Sequence, residues 1–209
     1  PLQGISAQLR LLRDDLPAEF RENRRLRLIH DGLGRIAHIV HSLLQLHRAP
    51  QGVRETCCVA DVVGSVAELI APMALSARVR VETDIRPPDL ACPLSAVALT
   101  QVLLNLALNG IDAMPGGGVL RLQAHLEDGA TVLHITDSGI GIPPGHQARL
   151  FSPFFTTKGP KGTGLGLSVT HSLVTSAGGT LDLVQREGKG AAFMIRFASL
   201  PRAPGSPKA

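Results

Sequence analysis

The sequence predicts an α+β protein in which a helical hairpin precedes an α/β sandwich, with helices on one face of a mixed sheet. Two observations carry that expectation. The first fifty residues repeat apolar side chains in steps of three and four, whereas after Pro50 strand-like alternation and helical periodicity follow one another in irregular order. A length of 209 residues suffices for one sizeable core and a smaller appendage, and a hydrophobic share of 44% places the chain among globular rather than disordered proteins.

Residues 1–50 form the first predicted unit. Leu2, Ile5, Leu9, Leu12 and Leu16 mark one heptad seam, Pro17 interrupts it, and Leu26, Ile29, Leu33, Ile36, Val40 and Leu43 mark a second. An isolated hairpin leaves most of these stripes in water, so two copies forming a four-helix bundle in a homodimer are expected. The alternative is one hairpin folded back onto the larger domain.

The second unit spans residues 51–200. Asp61 is placed to cap a helix that carries Val62, Val63, Val66, Leu69, Ile70 and Met73 on one face. A strand follows at 79–85, and Pro87 and Pro88 mark a loop. Ser95 caps the next helix, which runs to about Met114 and is ended by the glycines 116–118. Strands are expected near 119–126 and 131–136, a helix over about 165–177, and two last strands near 180–185 and 191–198. Residues 201–209, rich in proline and small side chains, form a disordered tail.

Composition excludes several classes. Trp and Tyr are absent, so the core is aliphatic with six Phe. No run approaches the roughly 18 to 20 apolar residues of a membrane span and the start lacks a signal peptide's layout, so a soluble, cytoplasmic chain is expected. The net charge of +4 arises from scattered basic residues apart from Arg21, Arg24, Arg25 and Arg27, a helical surface run that does not indicate nucleic acid. Cys57, Cys58 and Cys92 have no CxxC spacing; they read as reduced packing residues in a reducing compartment, with a thiol sensor as the other reading.

Four polar or glycine-rich clusters punctuate the second unit. Asn105 and Asn109 lie one turn apart on a helix, with Asp112 nearby, and an amide oxygen is a suitable neutral ligand for magnesium. "DSGIGIPP" (137–144) ends a strand with a carboxylate followed by glycines that admit a flat ligand, and "LFSPFFTTK" (150–158) mixes aromatics, hydroxyls and a lysine. "GTGLGL" (162–167) opens a helix, where bare amide groups can close on phosphate oxygens. Alone, that glycine spacing is weak evidence, and a plain helix cap is the commoner reading.

In this order the clusters resemble the sensor histidine kinases, whose ATP-binding domain belongs with those of gyrase, the heat-shock chaperones and the MutL mismatch-repair proteins. "QVLLNLALNGIDAM" resembles the N box, "DSGIGIPP" and "KGTGLGL" the two glycine boxes, and "FSPFFTTK" the F box. "RIAHIVHSLLQLHRAP" is similar to the second helix of the family's dimerisation and histidine-phosphotransfer hairpin. The resemblance implies that Asp137 accepts a hydrogen bond from the adenine amino group, with Gly139 and Gly141 beside the base. It makes Asn109 the magnesium ligand and places Asn105, the catalytic candidate, near the γ-phosphate. The loop from about Gly145 to Gly162 becomes a lid bringing Thr157 or Lys158 to the nucleotide, and Gly162, Thr163, Gly164, Leu165 and Gly166 the phosphate turn; Asp112 completes the ATP-binding set.

The same resemblance implies Mg2+ and ATP as cofactors and a response-regulator receiver domain as partner, with any membrane contact made by regions outside this chain. Hydrolytic members of the superfamily carry a glutamate where Asn105 stands; an amide is no general base, which favours a kinase over an ATPase. Asp112 stands where many relatives are basic, leaving phosphate charge to Lys158, Lys161, magnesium or the helix start. Gly110 replaces a common alanine, and Ala191 replaces a threonine close to the adenine aspartate. The chain begins "PLQGI", which resembles the end of the family's HExxNPL acceptor motif, so the resemblance implies an acceptor histidine just upstream of residue 1 and the 209 residues are not expected to autophosphorylate. His30, His38, His41 and His47 are read as surface or bundle residues, and His125, His134, His146 and His171 as structural. Two other readings stand beside this one: a nucleotide-dependent clamp ATPase of the same superfamily, and a dimeric scaffold with a decayed nucleotide site.

Overall fold

A computed structural model describes residues 56–159, 162–184 and 189–198. The predicted hairpin over 1–50, Lys161 and the tail over 201–209 lie outside the described residues. The rest forms the expected α+β arrangement: β1 (Cys57–Cys58), α1 (Val59–Ser76), β2 (Val79–Arg86), β3 (Ala91–Cys92), α2 (Ala96–Asp112), β4 (Gly118–Glu127), β5 (Ala130–Asp137), α3 (Pro144–Gln147), α4 (Gly166–Ser176), β6 (Gly179–Leu183) and β7 (Ala192–Phe197).

Strands β2, β4, β5, β7 and β6 form, in that order, one mixed sheet, with β2 and β4 parallel and the other neighbours antiparallel. Register decides which face is buried. Leu120, Leu122 and Ala124 of β4 pair with Asp137, Ile135 and Leu133 of β5, and Phe193 and Ile195 of β7 continue the row. This face packs against the helices in one core with Leu99, Val102, Leu103 and Leu106 of α2, each buried to within 1%. Burying such a side chain contributes about 1.5–3 kcal/mol, so α2 is held by its apolar stripe. Its start is fixed separately, because the Ser95 hydroxyl accepts the Ala98 amide at 3.2 Å. Ser95→Ala is expected to lower stability by about 1 kcal/mol in denaturant unfolding.

Four expectations need correction. Asp61 does not cap α1; it lies within the first turn, where its charge still suits the positive helix end, and Cys58 occupies the cap position. Leu69 and Met73 are 56% and 44% exposed, because the core-facing stripe runs through Val59, Val62, Val63, Val66, Ile70 and Ala74 instead. Helix α2 stops at Asp112, before the glycines, while Met114 turns into the core. Among the described residues one helix, α1, is long and apolar enough to cross a membrane, with 18 residues and a mean hydropathy of 1.5. Its buried stripe, a third of its residues, packs on α2 and β2. The sequence also gave no sign of the two-residue ribbon in which β1 pairs antiparallel with β3.

The opposite sheet face is polar. Glu82 bridges Arg80 at 2.9 Å and Arg121 at 2.7 Å, and His125 stacks on His134 with ring centroids 5.5 Å apart. Desolvation, and then the neighbouring His125, hold the His134 pKa below its ordinary 6.5, against the opposing pull of Glu127. The unfolded chain therefore takes up this proton first as the pH falls. On this account stability is flat above about pH 6.5 and declines below it until folded His134 also protonates. Unfolding midpoints between about pH 7.5 and 5.5 are expected to fall less steeply in His134→Gln.

Candidate functional site

Helix α2 organises the site through one face. Asn105, Asn109 and Ala113 are spaced four residues apart, with Gly110 beside them, and each touches a different one of the other clusters.

Gly110 meets the strand end. A Cβ built there would lie 3.0 Å from Leu120 Cδ1 and 3.3 Å from Asp137 Cβ, so the small residue lets α2 press against the end of β5. Asp137 is 6% exposed, and its Oδ1 accepts the amides of Gly139 at 2.8 Å and Ala191 at 3.2 Å. Two amides from different strands' ends thus fix the carboxylate's orientation. Gly139 has no room for a side chain, since a Cβ would strike the Ala113 carbonyl and approach Asp137 Oδ1 to 2.9 Å. Ile140 then donates its amide to that same Ala113 carbonyl at 3.1 Å, seating the turn on the end of α2, while Gly141 (φ +74°) lies against the Gly190 carbonyl.

Asn109 meets the loop that carries Lys158. Lys158 Nζ donates to Asn109 Oδ1 at 2.9 Å and to Asp112 Oδ2 at 2.6 Å. The acidic Asp112 is thus matched by a lysine arriving from the loop. Thr156 Oγ1 accepts the Lys158 amide at 3.1 Å, shaping the approach. Thr157 is exposed in the same loop.

Asn105 meets the glycine turn. Only 5% exposed, it donates through Nδ2 to the Gly166 carbonyl at 3.0 Å and to Thr170 Oγ1 at 3.2 Å, and accepts from Gln101 Nε2 at 3.1 Å. Its amide therefore ties α2 to the start of α4. That start has no side-chain cap, and Leu165 occupies the cap position. Uncapped amides of this kind suit an anion. Gly164 (φ +66°) makes the turn possible: a Cβ there would run into the Phe154 backbone, and Thr163 Oγ1 accepts the Leu165 amide at 3.4 Å. Gly162 lies against Thr156 of the Lys158 loop.

The other three sequence clusters therefore converge on α2, which carries the first. The reading of sequence missed Gln101 and Thr170, which complete the Asn105 amide, and Gly190, whose backbone lies against the Asp137 carbonyl. An open concavity of about 460 Å3 lies elsewhere, on the polar sheet face, lined by Arg121, Gln123, His134, Thr136, Val184 and Ala192. Among the described residues no three His, Cys, Asp or Glu side chains group as metal ligands.

Residues 95–201 match the family described as histidine kinase-, DNA gyrase B- and HSP90-like ATPase. The chain belongs to that family. The match begins at the Ser95 cap and spans every cluster of the site, so what α2 gathers is the ATPase domain of the histidine kinase type. Curated relatives include the sensor histidine kinase ZraS of Escherichia coli K12, 31% identical over 198 residues that make up 93% of this chain and 42% of that protein. Sporulation kinase A of Bacillus subtilis 168 is 29% identical, over 94% of this chain and 32% of its own. The chain thus spans less than half the length of these relatives. Among solved structures, full-length ShkA in complex with AMPPNP superposes with a TM-score of 0.73 at 27% identity, covering 96% of this chain and 44% of that one. The catalytic domain of the histidine kinase ThkA gives 0.62 at 26%, covering 69% and 95%. The ATPase domain is accordingly the histidine kinase variant of the family in both sequence and fold.

Proposed function

We propose that this chain is the kinase core of a two-component sensor histidine kinase, which binds Mg-ATP and passes the γ-phosphoryl group to a histidine and then to an aspartate of a response regulator. The observation that carries this reading is the convergence on α2: a buried carboxylate at one end, an amide oxygen in the middle and an uncapped glycine turn at the other. These match, in order, the amino edge of adenine, a divalent ion and a chain of phosphates.

Asp137 would select adenine by accepting from its amino group, while Gly139 and Gly141 leave space beside the base. Gly162, Thr163, Gly164, Leu165 and Gly166 would line the phosphates. The residues present fit magnesium: the Lys158 ammonium already lies within hydrogen-bond distance of two oxygens, Asn109 Oδ1 and Asp112 Oδ2, a hard donor set suited to that ion. Asn109 would hold it, with Asp112 beside it and Lys158 and Thr157 turning to the phosphates. Magnesium would supply charge neutralisation of the β- and γ-phosphates. Asn105 shapes the phosphate turn and, being an amide, leaves water unactivated, so the γ-phosphoryl group is kept for a histidine nitrogen.

In this reading residues 1–50 are the dimerisation and phosphotransfer hairpin of a homodimer, residues 51–200 the catalytic domain and residues 201–209 a tail. The protein would act in the cytoplasm. Calorimetric titration tests the proposal: ATP should bind more tightly with magnesium than without, and GTP weakly in both cases. Steady-state release of phosphate should be slow; rapid turnover would favour the clamp ATPase, and no binding of ATP a scaffold. Asn109→Ala is expected to abolish the magnesium-dependent gain, costing about tenfold in affinity, while ATP binding without the metal stays near wild type.

A further inference from the structure

We propose that Cys57 and Cys92 are an oxidisable thiol pair, closed to a disulfide by hydrogen peroxide, that staples the strand leading into α1 to the strand leading into α2. The pair rests on backbone register and is independent of the nucleotide site.

Cys57 lies directly opposite Cys92 in the antiparallel β1–β3 ribbon, so both side chains leave the same face. Opposed residues of such a ribbon have Cα atoms about 4.5–5.5 Å apart, within the 4.4–6.8 Å that a disulfide spans. Cys58, which pairs with Ala91, points to the other face and donates to the Pro88 carbonyl at 3.5 Å. Adjacent cysteines on opposite faces do not bond without distorting the peptide between them, so Cys92 is the sulfur that Cys57 meets.

The ribbon is held firmly. Val59 donates its amide to the Leu90 carbonyl at 2.8 Å, and Thr131 of β5 donates its hydroxyl to the Ala91 carbonyl at 2.8 Å. Access is one-sided, with Cys57 half-buried and Cys92 fully buried. The thiols are also unlike. A hydrogen bond from Cys92 holds the Cys57 pKa below the ordinary thiol value, against desolvation and the Asp61 charge, whereas the same hydrogen bond and burial push Cys92 well above it. The accessible sulfur is thus the better thiolate, and the buried one carries the proton.

The step balances with hydrogen peroxide as oxidant. The Cys57 thiolate attacks one peroxide oxygen, the O–O bond breaks, and the other oxygen leaves as hydroxide and becomes water on taking up a proton. Cys57 is then a sulfenic acid. The Cys92 sulfur displaces the sulfenic hydroxyl, which departs as a second water with the Cys92 proton, and the S–S bond forms. Two electrons pass from the thiols to the peroxide. In a reducing compartment such a bond is transient and serves sensing rather than architecture.

The experiment treats the full chain with submillimolar hydrogen peroxide, blocks remaining thiols and maps disulfides by peptide mass spectrometry. The expected product loses two hydrogens in mass, links the Cys57 and Cys92 peptides within one chain, leaves Cys58 alkylated and reverts with dithiothreitol. Cys58→Ser should retain the bond and Cys57→Ser should lose it. The wild-type map stands whether or not a variant folds. A Cys57–Cys58 bond, a bond between two chains, irreversible oxidation of Cys57 with Cys92 still a thiol, or three unmodified thiols would each overturn the proposal.

Discussion

Asp137→Asn is expected to weaken ATP binding about 100-fold while leaving the protein folded. The reasoning starts from the two amides that Asp137 Oδ1 accepts, from Gly139 and Ala191. An asparagine oxygen can keep both, so the strand end survives. Its amide nitrogen then replaces the second carboxylate oxygen and offers a donor where, in the proposed reading, the adenine amino group would also donate. Losing a charge-assisted hydrogen bond in a buried site costs about 1.5–3 kcal/mol, and opposing two donors adds to that. Asp137→Ala should lose affinity equally and also destabilise the domain, because it strands two buried amides. Calorimetry with ATP, alongside thermal unfolding, separates the variants; wild-type affinity in Asp137→Asn would remove adenine recognition from this residue.

Gly190→Ala is expected to destabilise the domain by about 3 kcal/mol, lowering the unfolding midpoint by roughly 10 °C. At φ +104° an alanine is strained, and its Cβ would collide with the Asp137 carbonyl, a backbone atom that cannot swing aside. Any relief must move Asp137, so nucleotide affinity should fall with stability. Gly145→Ala is the control: a Cβ there meets nothing within 4 Å, and little change is expected. Equal stability of the two variants would mean that the backbone contact at Gly190 does not constrain the site.

The contrast between these glycines shows what the sequence reveals. Gly139 and Gly164 were legible because they fall in motifs beside a carboxylate and a helix start. Gly190 was not, because its constraint comes from β5, more than fifty residues away, and only the register of β7 brings the two together. The five strands of the main sheet and α2 were legible from periodicity, and Ser95 from its position before an apolar run, whereas the two-residue strands β1 and β3 are too short to show any. Leu69 and Met73 were misplaced because α1 is apolar around most of its circumference, and periodicity alone does not choose among faces. Asn105 and Asn109 were recognised as a pair on one face, but their different partners were not. One binds the start of α4 and the other a loop lysine, and neither contact leaves a local trace.

A crystal structure of the chain with a non-hydrolysable ATP analogue and magnesium tests the central claim most directly. The account predicts the adenine amino group on Asp137, the phosphates along residues 162–166, and the ion on Asn109 with Lys158 displaced from it. A purine bound elsewhere, for instance in the concavity beside Arg121 and His134, with Lys158 still seated on Asn109 and Asp112, would contradict it.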